Sequence, residues 1–261
     1  MNMIGSENRS NSYRGNAMVK WRDCHGSRQK LRYVHVIARE SYPMFLFTFF
    51  YFACFAFLEH WNRLHYTVIH VALDDKIPFI EEFIIPYYAW FFYMVVAMVL
   101  FYLYDRDTYH RIAAMLCIGM SVFLVVSAVW PNIQYLRPTV MPRDNVFTRM
   151  IQGLYASDTP TNLCPSIHVY NSIAITIGVL KSSADLFHKK GVRIFCTILG
   201  TSIILSTMFI KQHSVFDVLC AFLMASLVYI LCYRYGFTFI ESPVKAMAGP
   251  ERDMFVTEDQ I

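Results

Sequence analysis

The chain has 261 residues, 56% of them hydrophobic and only 16% charged, with a formal net charge of +4. A soluble domain of this size carries about 25% charged residues, and the apolar residues here are gathered into long uncharged runs. That distribution excludes a soluble single-core domain. It also makes a nucleic-acid partner unnecessary, because a modest basic excess follows from the cytoplasmic Lys/Arg bias of membrane proteins and their anionic headgroups.

The first forty residues are polar and basic and read as a cytoplasmic tail, too long to be the n-region of a cleaved signal peptide. Within them, Leu31 to Ala38 reads either as a short interfacial helix or as part of a basic leader. Uncharged runs then follow from Ser41 to Leu58, Phe83 to Tyr104, Ile112 to Leu136, Thr159 to Leu180 and Ile194 to Ile210. A sixth, from Gln212 to Tyr233, is interrupted only by Asp217. Each approaches or exceeds the ~20 residues that cross ~30 Å of hydrocarbon. The expected fold is all-α: a six-span bundle over 41–236 with both termini cytoplasmic and a second cytoplasmic tail over 237–261. Under this topology 17 of the 23 Lys and Arg residues fall inside and 6 outside, the asymmetry that sets orientation.

Three segments then face outward. Glu59 to Glu82 carries His60, His65 and His70 at a spacing of five, which does not stack on one helical face, and reads as an interfacial connection rather than a metal site. Pro131 to Pro165 is too long for a plain connector. Inside it, Val146, Phe147, Met150, Ile151, Leu154 and Tyr155 recur at helical spacing behind Asp144, which reads as an N-cap. Such a helix serves as a structural cover or as a gate for a lipid. The third segment, Ile210 to His213, is very short and leaves Lys211 and His213 at the outer rim.

Ionisable groups within spans are expensive and mark function. His213 and Asp217 stand at i and i+4, on one face at the top of the sixth span. A carboxylate there can hold one imidazole nitrogen and leave the other as a nucleophile. His168 lies at a similar depth at the start of the fourth span. Pro165 and Ser166 mark that helix start, whose free N–H groups suit an anion. Arg137 offers a permanently charged fork for phosphate oxygens, and Lys211 a further cation. These residues make a phosphoryl-transfer kit in which His213 attacks, Asp217 orients it and His168 protonates the leaving oxygen. It calls for no metal and no cofactor.

The residues resemble those of the type 2 phosphatidic acid phosphatase superfamily, whose motifs are Lys-x6-Arg-Pro, Pro-Ser-Gly-His and Ser-Arg-x5-His-x3-Asp. Here they stand as Trp130-x6-Arg137-Pro138, Pro165-Ser166-Ile167-His168 and Ser206-Thr207-x5-His213-x3-Asp217. The resemblance implies a phosphohistidine at His213, with Asp217 its partner, His168 the acid, and Arg137 and Ser166 phosphate binders. Three positions depart from the pattern: Trp130 for lysine, Ile167 for glycine and Thr207 for arginine. Two phosphate cations are thereby missing, and Lys211 is the candidate to return one. The same loss of the third-motif arginine is seen in the related inositol phosphorylceramide and sphingomyelin synthase branch.

The expected function is an integral-membrane lipid phosphatase or phosphotransferase with its site on the extracytoplasmic face, in the plasma membrane. Its substrate is a phospholipid or an isoprenyl phosphate drawn from the surrounding membrane lipids. A headgroup transferase is the alternative within that chemistry. A non-catalytic transporter or scaffold is the alternative outside it.

Overall fold

A computed structural model describes residues 27–61 and 63–239, with side chains described from residue 42 onward. The tail expected before residue 27, including Cys24, and the end of the chain after residue 239 lie outside the described residues. Helix α1 spans Ser27–His60, so the backbone over Leu31 to Ala38 is continuous with the first apolar run and not a separate element. Then come α2 (Ile84–Tyr104), α3 (Arg106–Val129), α4 (Val146–Ser157), α5 (Ile167–Lys181), the short α6 (Asp185–His188), α7 (Lys190–Phe209) and α8 (Val215–Tyr229). A π turn, Ile230–Arg234, continues α8.

Among the described residues, five stretches are long and apolar enough to cross a membrane: Tyr42–His60, Glu81–Tyr104, Arg106–Val129, Lys190–Phe209 and Val215–Arg234. The chain is therefore a multi-pass helical membrane protein. The fourth expected run, Thr159 to Leu180, behaves differently. Only Ile167–Lys181, 15 residues, is helical, about 22 Å at 1.5 Å per residue. Its first eight residues, Thr159 to Ser166, are drawn instead into loop structure at the outer end.

This short helix is central. It packs against α2, α3, α7 and α8, whereas α1 packs chiefly on α3. Tyr170, Ala174 and Ile175 of α5 are fully buried, and Tyr170 Oη donates to the Met115 carbonyl at 2.6 Å. Close approach is set by small residues, as in other helical membrane bundles. A Cβ at Gly119 would lie 2.1 Å from the Tyr170 ring, and one at Gly178 would lie 2.7 Å from Phe101. By contrast α1 leaves Phe45, Phe49, Phe52 and Phe57 exposed, the face a lipid-contacting helix presents.

The outer segments are knitted by backbone pairing. Thr67–Val68 (β1) pairs in parallel with Asn132–Ile133 (β2). The incoming strand to α5 runs beside β2: Gln134 N donates to Pro160 O at 3.0 Å, and Asn162 N to Asn132 O at 2.7 Å. The Asn132 side chain, fully buried, accepts from Leu163 N at 2.7 Å and Cys164 N at 3.2 Å. This lattice fixes where Pro165 ends and α5 begins.

Candidate active site

Ser166, His168, His213 and Asp217 are delivered by the starts of two helices, and Arg137 by the loop between β2 and α4. Ser166 is the N-cap of α5, its Oγ accepting from Val169 N, which follows from a Ser directly before an apolar helix. That fixes His168 in the first turn. Ser166 N in turn donates to the Asp217 carbonyl at 3.3 Å, tying the start of α5 to the first turn of α8. Ser214 is the N-cap of α8 and forms a capping box with Asp217. Asp217 is wholly buried, and its Oδ2 accepts from Ser214 N at 3.0 Å and lies 3.4 Å from His213 Nδ1. The imidazole contact is long, as such contacts often are before substrate tightens them. The His213 and His168 rings are 5.9 Å apart, centroid to centroid. His168 is wedged between Tyr87 at 4.6 Å and Trp90 at 4.3 Å from α2, so its ring orientation is set by aromatic packing.

Arg137 joins the site through Gln212, the residue before His213. Its Nη2 donates to Gln212 Oε1 at 2.6 Å and Thr159 O at 3.2 Å, and its Nη1 to Asp158 O at 2.7 Å. The Tyr155 ring lies 4.6 Å below the guanidinium carbon. Nε is buried without a protein partner. A guanidinium has five N–H groups, and four of these are oriented by protein acceptors, the fourth being the Tyr155 carbonyl, to which Nη1 donates at 3.4 Å. Gln212 Oε1 thus occupies the position on the fork that a phosphate oxygen would compete for. Burial pulls the Arg137 guanidinium down from its ordinary range, and neighbouring Asp158 acts against that.

Lys211 is placed differently from the expectation. Its Nζ donates to the Asp74 carbonyl at 2.8 Å and the Ile77 carbonyl at 2.6 Å, so it turns toward the first outer segment and holds that loop. Lys211 takes a positive φ of 57°, the sharp turn that lets α7 reverse into α8. The three departing motif positions have other occupations. Trp130 Nε1 donates to Thr67 Oγ1 at 3.0 Å. Ile167 packs with Tyr51 and Phe123. Thr207 is fully buried and returns its hydroxyl to the Ile204 carbonyl, while its own carbonyl accepts from both Gln212 N and His213 N at 2.9 Å.

Asp74 is the largest addition to the sequence reading. It is buried, and its Oδ2 accepts from Ser214 Oγ at 2.7 Å while Oδ1 accepts from Val215 N at 2.8 Å. It is an N-terminal cap for α8 supplied from a loop 140 residues earlier. The run Leu73-Asp74-Asp75-Lys76 was visible in sequence, but nothing local distinguishes a capping Asp from a solvated one. Asp158 and Gln212 were missed for the same reason. Asp144 is not the cap of α4: Asn145 is, in a capping box with Thr148, because its amide oxygen reaches Thr148 N at 2.9 Å. Asp144 pairs outward with Arg149 at 2.9 Å. The helix itself covers the site, seating Ile151 and Leu154 against Ile84, Tyr87 and Ile210.

Fold and site together define a multi-pass helical membrane protein with two histidines, a carboxylate and a partly buried arginine converging at one end of its central helix. Residues 133–241 match the family model of the PAP2 superfamily. That match agrees with the resemblance read from the motifs, and the matched stretch contains Arg137, Ser166, His168, His213 and Asp217. The superfamily's general activity is that of a phosphatase or phosphotransferase. No curated protein and no solved structure matched the chain.

Proposed function

We propose that the protein is an integral-membrane lipid phosphate phosphatase or phosphotransferase working through a phosphohistidine at the extracytoplasmic face. The observation that carries the reading is the meeting of His213, held by Asp217, with His168 across 5.9 Å between ring centroids. Asp217 keeps the proton on His213 Nδ1, leaving Nε2 to attack phosphorus. The N–P bond forms as the P–O bond to the lipid breaks, and protonated His168 gives its proton to the departing oxygen. The acceptor O–H then returns a proton to His168 while its oxygen attacks phosphorus and releases His213. Arg137 and the N–H groups of the first turn of α5, with Ser166, bind the phosphate oxygens. Lys211 acts on this site only through the 74–77 loop it holds.

With the 15-residue helix α5 counted as the sixth crossing, both termini lie on the cytoplasmic side and the site faces out, in the plasma membrane. The Lys and Arg distribution supports that orientation. Water as acceptor makes the protein a phosphatase, the reading favoured by the breadth of the superfamily. A lipid alcohol makes it a headgroup transferase, the reading favoured by Trp130 and Thr207 standing where cations are expected.

The test uses purified protein in detergent with lipid phosphomonoesters, pyrophosphates and phosphodiesters, each with and without diacylglycerol or ceramide. Inorganic phosphate and new lipids are followed beside His213→Ala. Phosphate release by the wild type alone identifies a phosphatase, and a new lipid without phosphate identifies a transferase. Equal activity in the variant, or none in either, removes the histidine mechanism.

A further inference from the structure

The surroundings of Arg137 carry an arrangement that the paired histidines do not explain. Gln212 lies between a cation and an anion: its Oε1 accepts from Arg137 Nη2 at 2.6 Å while its Nε2 donates to Asp158 Oδ2 at 3.2 Å. The same carboxylate oxygen is 3.9 Å from Arg137 Nη2. Burial raises the Asp158 carboxyl, and Arg137 and then His213 act against that. A further carboxylate stands behind: Glu59 Oε2 accepts from Thr159 Oγ1, and Thr159 O accepts from Arg137. Among the described residues of this network, Arg137 is the one permanently charged cation, set against Asp158 and Glu59. Lys211 is turned away onto the 74–77 loop.

We propose that Asp158 and Gln212 set the charge the site accepts, selecting a singly charged phosphodiester over a doubly charged phosphomonoester. This rests on the phosphoryl-transfer reading above. A phosphate group that takes Arg137 by the Nε–Nη2 edge uses the unpartnered Nε and displaces Gln212 Oε1, and so sits beside Asp158. A monoester carries close to two negative charges above its second pKa of about 6, and a diester carries one. Each added charge meets the Asp158 carboxylate, one-third exposed, beside a guanidinium that is only 12% exposed. The electrostatics around Arg137 therefore penalise the second charge, in the same direction as the missing lysine and arginine of the motifs. Gln212 is the neutral spacer that keeps Arg137 and Asp158 from collapsing into a direct pair, which leaves the guanidinium exchangeable.

The experiment compares kcat/KM at pH 8 for a diacylglycerol phosphate and for the matching phosphoethanolamine diester, the latter with ceramide as acceptor so that ceramide phosphoethanolamine and free diacylglycerol are the products. The proteins are the wild type, Asp158→Asn and Gln212→Glu, in detergent micelles. The wild type favours the diester. Asp158→Asn, which removes the charge at nearly constant shape, raises the monoester-to-diester ratio on the order of tenfold. Gln212→Glu, which adds a charge at the same place, lowers it. Equal ratios in all three proteins overturn the proposal, as does a fall in both substrates alike.

A second readout needs no turnover: protection of His213 from diethyl pyrocarbonate by methyl phosphate or dimethyl phosphate at pH 8. Better protection by dimethyl phosphate, reversed in Asp158→Asn, sustains charge selection even where no lipid is turned over, and the catalytic reading alone then fails. Protection without charge preference overturns the selection whether or not turnover is seen.

Discussion

The two ends of α5 solve the same problem with opposite results. At the inner end, Asp105 is buried and saturated. Its Oδ1 accepts from Thr108 N at 3.0 Å, and its Oδ2 from Ser182 Oγ at 2.7 Å and Ser183 N at 2.8 Å. It caps α3 and ties the end of α5 to it. At the outer end, Asp217 is equally buried, yet Oδ1 is without a protein partner and Oδ2 has one short bond and one long one. Buried carboxylates are normally fully bonded. A saturated one is a staple. Under the proposed mechanism, a carboxylate left short of partners beside two histidines keeps capacity for the charge that develops on an imidazole during reaction.

The contrast can be broken most severely at the nucleophile. His213→Ala should reduce phosphoryl transfer by about 10⁴-fold or more and abolish trapping of a phosphorylated protein from labelled substrate, with the thermal midpoint nearly unchanged. Next, Asp217→Asn should lower kcat on the order of 10²–10⁴-fold by losing the tautomer that aims Nε2. Asp105→Asn should do the converse, lowering the thermal midpoint while the folded fraction keeps kcat/KM within a few-fold. Loss of activity per folded molecule in Asp105→Asn would dissolve the distinction between the ends.

Lys211 sharpens the comparison further, since it sits two residues from His213 but bonds away from it. Lys211→Met should lower kcat about tenfold through the loosened 74–77 loop and the cap Asp74 gives α8, with KM little changed. A KM increase with constant kcat would instead make Lys211 a phosphate binder. The smallest effect concerns pH. Burial raises the Asp158 carboxyl, so the folded state binds its proton more tightly than the unfolded one. Stability from this group is therefore present at low pH and is lost as pH rises through its folded pKa. Asp158→Asn removes that loss. Its thermal midpoint relative to wild type should be higher at pH 7 than at pH 4, by roughly a few degrees.

Much of the site was legible because its signals are local. His213 and Asp217 fall on one helical face by an i, i+4 spacing, and Ser166 caps α5 because a small hydroxyl side chain directly precedes an apolar run. The long uncharged runs announced the spans, and their flanking charges the expected orientation. Even α4 was foreseen from its apolar periodicity, with only the cap displaced by one residue from Asp144 to Asn145.

Tertiary structure alone decided the rest. Asp74 reaches Ser214 across 140 residues, Gln212 meets Asp158 across 54, and Lys211 meets Ile77 across 134. No periodicity or composition encodes such pairings; they arise where loops from different spans converge. The shortening of the fourth apolar run to the 15 residues of α5 has the same origin. Thr159 to Ser166 carries no charge and looks like membrane sequence, yet its backbone groups are needed beside Asn132 and Gln134 to build the outer scaffold. Composition set what the chain could bury, and the convergence of distant loops set which buried polar groups were left to react.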